Sequence, residues 1–265
     1  MGERRASPIE EIVGALHAPL AGNGRAAFDA FLALGRAARD IARDAAAPVE
    51  RRQAALDGLA TILNGGKPAV PLALPHSAAA RDLVERFAEA GLDLGHARHV
   101  LQALRQDCAK PGYRDWADWL LFARFAAAPY GRLWIESAGG DKGGWAAAEA
   151  LACALLLLSQ TQTLAADQRE AGKLYLPERW RRDHGETPGW RGVQDEAARA
   201  ADQLLRAAAV LPRSLPARPA RRAAAMAAAL SRRWAARLAT TDLAGPDVRL
   251  TALDRWRARL AAWRA

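Results

Sequence analysis

Cysteine is nearly missing from this chain. Its two cysteines among 265 residues, Cys108 and Cys153, lie in apolar or mixed contexts with no Cys-x-x-Cys and no Cys/His spacing. That argues against a disulfide framework or a zinc site, and makes a reducing cytoplasm the simplest setting. β-Branched runs are scarce while alanine abounds, so an all-α chain is expected. No Gly-x-Ser-x-Gly, P-loop or Gly-x-Gly-x-x-Gly is present, which removes the usual support for hydrolase and nucleotide-binding chemistry. The most apolar run, Ala146 to Leu158, is interrupted by Glu149 and falls short of the roughly 20 residues that span a bilayer, so it reads as a buried core helix. The N-terminus, MGERRASPIEEIV, has acidic residues at once and no apolar stretch of the secretory type.

Acid is in short supply relative to base. Thirty-eight Lys and Arg against 29 Asp and Glu give a net charge of +9 and a pI near 10.4. Such a balance favours phosphate-bearing partners such as small diphosphates or anionic lipid surfaces, although a coding bias towards Arg and Ala would produce it too. No basic block carries the interleaved aromatics of a single-strand binder, so nucleic acid is not expected as a partner. There is no internal repeat and no evident linker, and one domain over 1–265 is expected.

Helical spacing and its punctuation divide the chain. A first helix, capped by Ser7 and Pro8 with Glu10 and Glu11 in its first turn, is expected to reach about residue 20, before a break at Gly22, Asn23 and Gly24. Further helices are expected over 25–47, over 48–64 with Gly65 and Gly66 as the stop, over 77–90 closed by Gly91, and from near Leu94. Others follow over 194–209, over 220–238, and from about Thr251. His96 and His99 lie three apart with no third ligand. They read, like the isolated His17, His76 and His184, as structural or exposed side chains. Trp256 and Trp263, seven apart among Arg255, Arg257, Arg259 and Arg264, give an amphipathic basic end suited to an anionic membrane surface, or simply to packing on its own domain.

One stretch organises the rest: Ser159 to Pro177, SQTQTLAADQREAGKLYLP. It resembles the squalene/phytoene synthase family, the trans-head-to-head prenyl synthases, and within it the bacterial hydroxysqualene synthase branch. In that family a helix bearing Asn, Asp and Asp at four-residue spacings enters a Gly-Arg-x-Tyr-Leu-Pro loop. Gly172, Lys173, Tyr175, Leu176 and Pro177 match the loop, but Gln160, Leu164 and Gln168 stand where Asn, Asp and Asp belong. A first aspartate helix, Ala-Arg-x-x-Asp-Asp-Ile-Ala-Asp-Glu, is matched by Arg36, Asp40, Ile41 and Ala42, whereas Arg39 and Arg43 occupy two Asp positions and Asp44 the Glu. Further matches to the hydroxysqualene synthase branch are Arg105, Gln106, Asp107, Tyr113, Trp116, Leu120, Arg124, Ala127, Pro129, Gly131, Arg132 and Leu133. Departures there are Phe122 for Tyr, Ala123 for Cys, Ala126 for Ser, Ala128 for Asn and Tyr130 for Val.

The resemblance implies an all-α isoprenoid synthase helical bundle with a central prenyl cavity, lined here by Phe122, Ala126, Ala127, Tyr130 and Leu164. It also implies a diphosphate site drawn from Arg36, Arg39, Asp40, Arg43, Asp44, Arg132, Gln160, Gln168, Lys173 and Tyr175. Residues four apart on a helix share a face, so paired carboxylates there can share one Mg2+. Leu164 cannot ligate, and Asp167 stands roughly 100° round the helix from Gln168, so it is expected to face away from the site unless the helix register shifts. Arg39 and Arg43 either grip a diphosphate directly or lie on a solvated face; a third alternative is a rotated carboxylate pair of Asp40 and Asp44, and Asp40, Asp44 and Asp167 are the candidate metal ligands.

Two activities follow from these departures. One is a non-catalytic member that binds an isoprenoid diphosphate, serves an assembly client, as family members recruited to respiratory complex I assembly do, or accompanies another prenyl synthase. The other is a Mg2+-dependent prenyl transferase or hydroxysqualene synthase acting on farnesyl or presqualene diphosphate, in which magnesium and basic clamps neutralise the departing diphosphate. A cytoplasmic location, peripheral at the inner membrane face, is the corresponding expectation.

Overall fold

The computed structural model describes residues 7–171, 173–184, 190–243 and 248–264. Helices dominate: α1 (Pro8–His17), α2 (Gly22–Arg43), α3 (Val49–Leu63), α4 (Leu74–Ala90), α5 (Gly95–Ala109), α6 (Trp116–Ala126), α7 (Ala128–Ser137), α8 (Trp145–Ala171), α9 (Glu178–His184), α10 (Arg191–Ala207), α11 (Arg218–Leu238) and α12 (Ala252–Trp263). Ser7 caps α1 by accepting from the Glu10 N–H while Glu10 accepts from the Ser7 N–H, a reciprocal pair that satisfies two otherwise orphaned donors. Gly65 and Gly91 take φ of 76° and 66° just past α3 and α4, the left-handed turn that ends a helix cheaply only at glycine. The break before α2 falls earlier than the Gly-Asn-Gly suggested. The chain turns over 18–21, and Gly22, with φ of 52°, opens the helix. Helix α4 likewise starts three residues before Ser77, with Pro75 in its first turn.

Helix α8 is the axis of the bundle, packing against α7, α10, α11 and the strand that follows it. With the short 3-10 turn that precedes it, the helical span Lys142–Arg169 is long and apolar enough, by length and composition, to cross a bilayer, yet 61% of its most apolar window is buried inside the protein. A helix apolar on all sides is satisfied by neighbours on all sides, which is how Leu151, Ala154, Leu157 and Leu158 are placed. Tryptophans tie the layers together. Trp134 donates to the Leu16 carbonyl at 2.7 Å, joining α7 to α1, and Trp234 donates to Gln162 at 2.8 Å, joining α11 to α8. Phe31 of α2 stacks on Phe87 of α4 with ring centroids 6.0 Å apart.

Two short strands, β1 (Gly112–Tyr113) and β2 (Leu174–Pro177), pair in parallel with an irregular register. They fasten the Tyr-Leu-Pro segment to the connection between α5 and α6. Sequence reading does not suggest this pairing, because strands of two and four residues carry no period.

At the far end, Asp254 holds α12 to α11. It accepts from Arg237 Nε at 2.6 Å, from the Thr251 N–H at 2.8 Å and from the Thr251 hydroxyl at 2.7 Å. Burial works against its charge, but these hydrogen bonds outweigh it and hold the carboxyl at about 2, below its ordinary 3.8. A depressed native value means that the contribution is complete above the unfolded value and is lost as pH falls through the native one. Wild type should therefore lose on the order of 2 kcal/mol of stability at this site between about pH 4 and pH 2. Asp254→Asn should show a flatter profile in that window when unfolding midpoints are measured against pH.

Candidate functional site

The C-terminal ends of α2, α5 and α8 meet β1 and β2 at one end of the bundle, and charged side chains gather there. Asp107, from the Arg-Gln-Asp match on α5, is buried. Its Oδ1 accepts from the Tyr113 hydroxyl at 2.5 Å and from Lys173 Nζ at 2.8 Å, and its backbone carbonyl accepts from the same Nζ at 2.6 Å. Burial first, and the Asp107 charge second, push the Tyr113 phenol far above its usual range, so it remains a proton donor to the carboxylate. Lys173 Nζ also lies 4.8 Å from the centre of the Tyr175 ring, and the Arg43 guanidinium covers the same ring at 4.6 Å. Arg52, from α3, donates to the Ala42 carbonyl at 2.8 Å beside it.

Opposite Arg43 stands α8. Arg43 Nη1 is 3.8 Å from Asp167 Oδ1, and Asp167 also accepts from the Thr163 hydroxyl at 2.7 Å. The expectation that Asp167 faces away from the site is therefore corrected. The long arginine at the end of α2 reaches across to it, so the 100° offset from Gln168 does not take it out of play. Gln168 Oε1 is buried with no partner among the described residues, and Leu164 is buried. Gln160, at the Asn position, is already engaged: its Oε1 accepts from Trp119 Nε1 at 2.8 Å, and the same indole N–H approaches the Tyr175 carbonyl at 3.1 Å. Arg36, Arg39 and Asp40 are exposed on α2, at the spacing that puts them on Arg43's stripe of the helix. Asp44 closes that helix, with Oδ1 accepting from the Ala46 N–H at 3.0 Å. Gly172 lies outside the described residues. The Trp- and Arg-rich segment after Pro177, ERWRRDHGETPGWRG, reads from the sequence as a loop, but its first part is helix α9, and residues 185–189 lie outside the described residues.

Arg132 does not join them. Its Nε donates to Glu149 at 2.5 Å and its guanidinium faces the Trp145 ring at 5.1 Å. Glu149 is 18 residues before Asp167 on α8, which is roughly 27 Å along the helix. Nearby, His96 Nε2 lies 3.2 Å from Glu136, so this histidine is satisfied by a carboxylate. Of the prenyl-cavity candidates, Phe122 lies against Tyr113 with centroids 4.9 Å apart, and Ala126 and Ala127 are buried where α6 meets α7. Tyr130 meets Phe31 edge-on at 4.6 Å, and its hydroxyl is buried against Gly35 of α2 with no partner among the described residues.

Magnesium wants oxygen donors and tolerates poor geometry badly. Asp167 is paired to Arg43, Asp44 serves the backbone, and Asp40 stands apart on the exposed face. Among the described residues no three carboxylate, thiol or imidazole side chains gather closely enough to hold a metal ion. The donor set does not fit a magnesium cluster, and Arg43 puts a fixed cation beside the carboxylate such a cluster would need.

The family model for squalene/phytoene synthase matches residues 18–264. The chain belongs to the squalene/phytoene synthase family. Its relatives include a hydroxysqualene synthase of Rhodopseudomonas palustris, 33% identical over 91 residues, which are 34% of this chain and 31% of that protein. The chain spans between 31% and 50% of the length of the curated relatives it matches. Solved structures that share its fold include the following two. The squalene synthase HpnC from Alicyclobacillus acidocaldarius has a TM-score of 0.68 at 22% identity, covering 85% of this chain and 87% of its own. A dehydrosqualene synthase in complex with ligand has a TM-score of 0.73 at 14% identity, covering 97% and 98%. The architecture is the all-α isoprenoid synthase fold.

Asp107 is the site residue that sequence reasoning passed over. The signal was present in the matched Arg-Gln-Asp, where only the aspartate turns inward. Arg105 instead donates to Asp57 at 2.6 Å on the outside of α3 and α5.

Proposed function

We propose that this chain binds an isoprenoid diphosphate through its own cations and acts as a binding, assembly or accessory member of its family, without ionising that diphosphate through magnesium. The observation that carries this reading is the Arg43 guanidinium, set between Asp167 and the Tyr175 ring. Arg43, Arg39 and Arg36 line one stripe of α2, with Lys173 behind Tyr175. Guanidinium groups engage phosphate oxygens bidentately and need no metal to do so. The same arrangement is poor for turnover. A departing diphosphate gathers charge, and rate enhancements of many orders of magnitude rely on preorganised cations at that point, commonly a metal.

Calorimetric titration with farnesyl diphosphate tests it. Binding should persist in EDTA, and Arg39→Ala/Arg43→Ala should weaken it roughly tenfold to a hundredfold, on the scale of charge-assisted hydrogen bonds. Diphosphate release from farnesyl or presqualene diphosphate should stay at the level of the protein-free control with or without Mg2+. Equal affinity in wild type and variant, or Mg2+-dependent release, would end the proposal. Release of that kind would favour a synthase activity like the one named for the relatives.

A further inference from the structure

We propose that the face built from α11, α12 and the 3-10 segment Ala208–Ser214 docks on an anionic phospholipid membrane. This inference does not rest on the diphosphate reading. From Ala208 to the C-terminus the chain has twelve arginines, no lysine and three aspartates, while the first 207 residues hold 26 basic and 26 acidic side chains. The whole net charge of +9 therefore sits in the last 58 residues.

Helix α12 is apolar on two faces. Asp254, Ala258 and Ala262 are buried against the body of the protein, as an amphipathic helix requires. The opposite face carries Leu253, Trp256, Leu260 and Trp263, which are 51, 56, 38 and 71% exposed. Their spacings of three, four and three residues set them in one stripe. On the helical wheel Arg257 and Arg264 border that stripe on one side and Arg259 on the other. None of these three arginines has a carboxylate within salt-bridge distance among the described residues. An outward apolar stripe with tryptophans, edged by unpaired arginines, is the pattern of a helix lying at the headgroup level of a bilayer.

The groove between α11 and α12 supplies the complementary half. Two adjoining cavities of about 360 and 440 Å3 share Ala229, Arg232 and Ala261. Arg233 and Arg257 also line the first, and Arg213, Arg221 and Arg264 the second. A lining of alanines and arginines suits phosphate headgroups, while the stripe beside it reaches the acyl boundary. A second copy of the chain would set two faces of like charge against each other. A free anion would leave the tryptophans unexplained.

Co-sedimentation of the full chain with vesicles tests this, with circular dichroism confirming that each variant folds. Binding is expected to phosphatidylcholine vesicles containing phosphatidylglycerol, to fall with salt, and to be weak on phosphatidylcholine alone. Arg257→Gln/Arg264→Gln should lower the partition coefficient roughly 25-fold, at about fivefold per arginine. Trp256→Ser/Trp263→Ser should lower it roughly tenfold and abolish the fluorescence quenching given by brominated phosphatidylglycerol. Binding to neither vesicle, or equal binding to both, overturns the proposal. So does binding of inorganic phosphate alone, or self-association that disappears in the tryptophan variant without any vesicle binding.

Discussion

Lys173→Met is expected to lower the unfolding free energy by roughly 3–5 kcal/mol, the usual cost of stripping one partner from a buried ion pair. The Asp107 side chain is 6% exposed, so water cannot replace the ammonium that lies 2.8 Å from its Oδ1. Methionine keeps the length and apolar stem of the lysine, which makes the lost charge and hydrogen bonds the dominant change. Against a total stability of about 5–15 kcal/mol this is a large fraction, visible as a shift of about 10 °C in Tm. Adding Asp107→Asn should recover much of it, because the amide still accepts from the Tyr113 hydroxyl and no charge is left stranded. Chemical denaturation of the two single variants and the double variant measures the coupling. A single-variant loss below about 1 kcal/mol would mean that water reaches the carboxylate.

The same residues mark how far the site can be read from the sequence. Lys173 and Tyr175 fall in a recognisable loop, and the structure places both Lys173 and Arg43 over the Tyr175 ring. What the alignment could not carry is where long side chains end. Arg43 spans from the last turn of α2 to Asp167, a residue one position out of register with its motif. Arg132 sits in an equally clear match, yet it turns to Glu149 at the other end of α8. Motif spacing fixes which face a residue occupies, but pairing depends on which helices cross there, and that is tertiary information.

Most of the helices were legible because their signals are local: apolar spacing, the Ser7 cap, and the glycine stops at Gly65 and Gly91. The Pro-rich stretch after α10 was not. Residues Ala208–Ser214 wind into a 3-10 turn with Pro212 inside it, because a 3-10 turn tolerates a missing N–H where a longer α-helix would not. The polarity of the C-terminal end was half visible: the Trp and Arg spacing could be read directly, but which face of α12 meets α11 could not.

Gly131→Ala should be the most damaging single-methyl insertion in the bundle. A Cβ at Gly131 would press on the Ala148 carbonyl oxygen and lie 2.6 Å from its carbon and 3.0 Å from the Glu149 nitrogen. All three are backbone atoms of α8, so relief requires α7 and α8 to separate. Overpacking of a well-filled core usually costs about 1–3 kcal/mol, and a clash against helix backbone belongs at or above the upper end. Gly35→Ala gives the contrast, since its Cβ would strike the Tyr130 hydroxyl, the far end of a side chain. Tyr130→Val should therefore rescue Gly35→Ala, whereas truncating side chains around Gly131 should rescue nothing. Thermal unfolding of both glycine variants, with and without Tyr130→Val, separates the two cases. A mild Gly131→Ala would show that the two helices can part without loss. Read this way, the Gly-Arg-Leu match is a packing device rather than part of the charged site: Gly131 lets α7 touch α8, and Arg132 ties that crossing to Glu149.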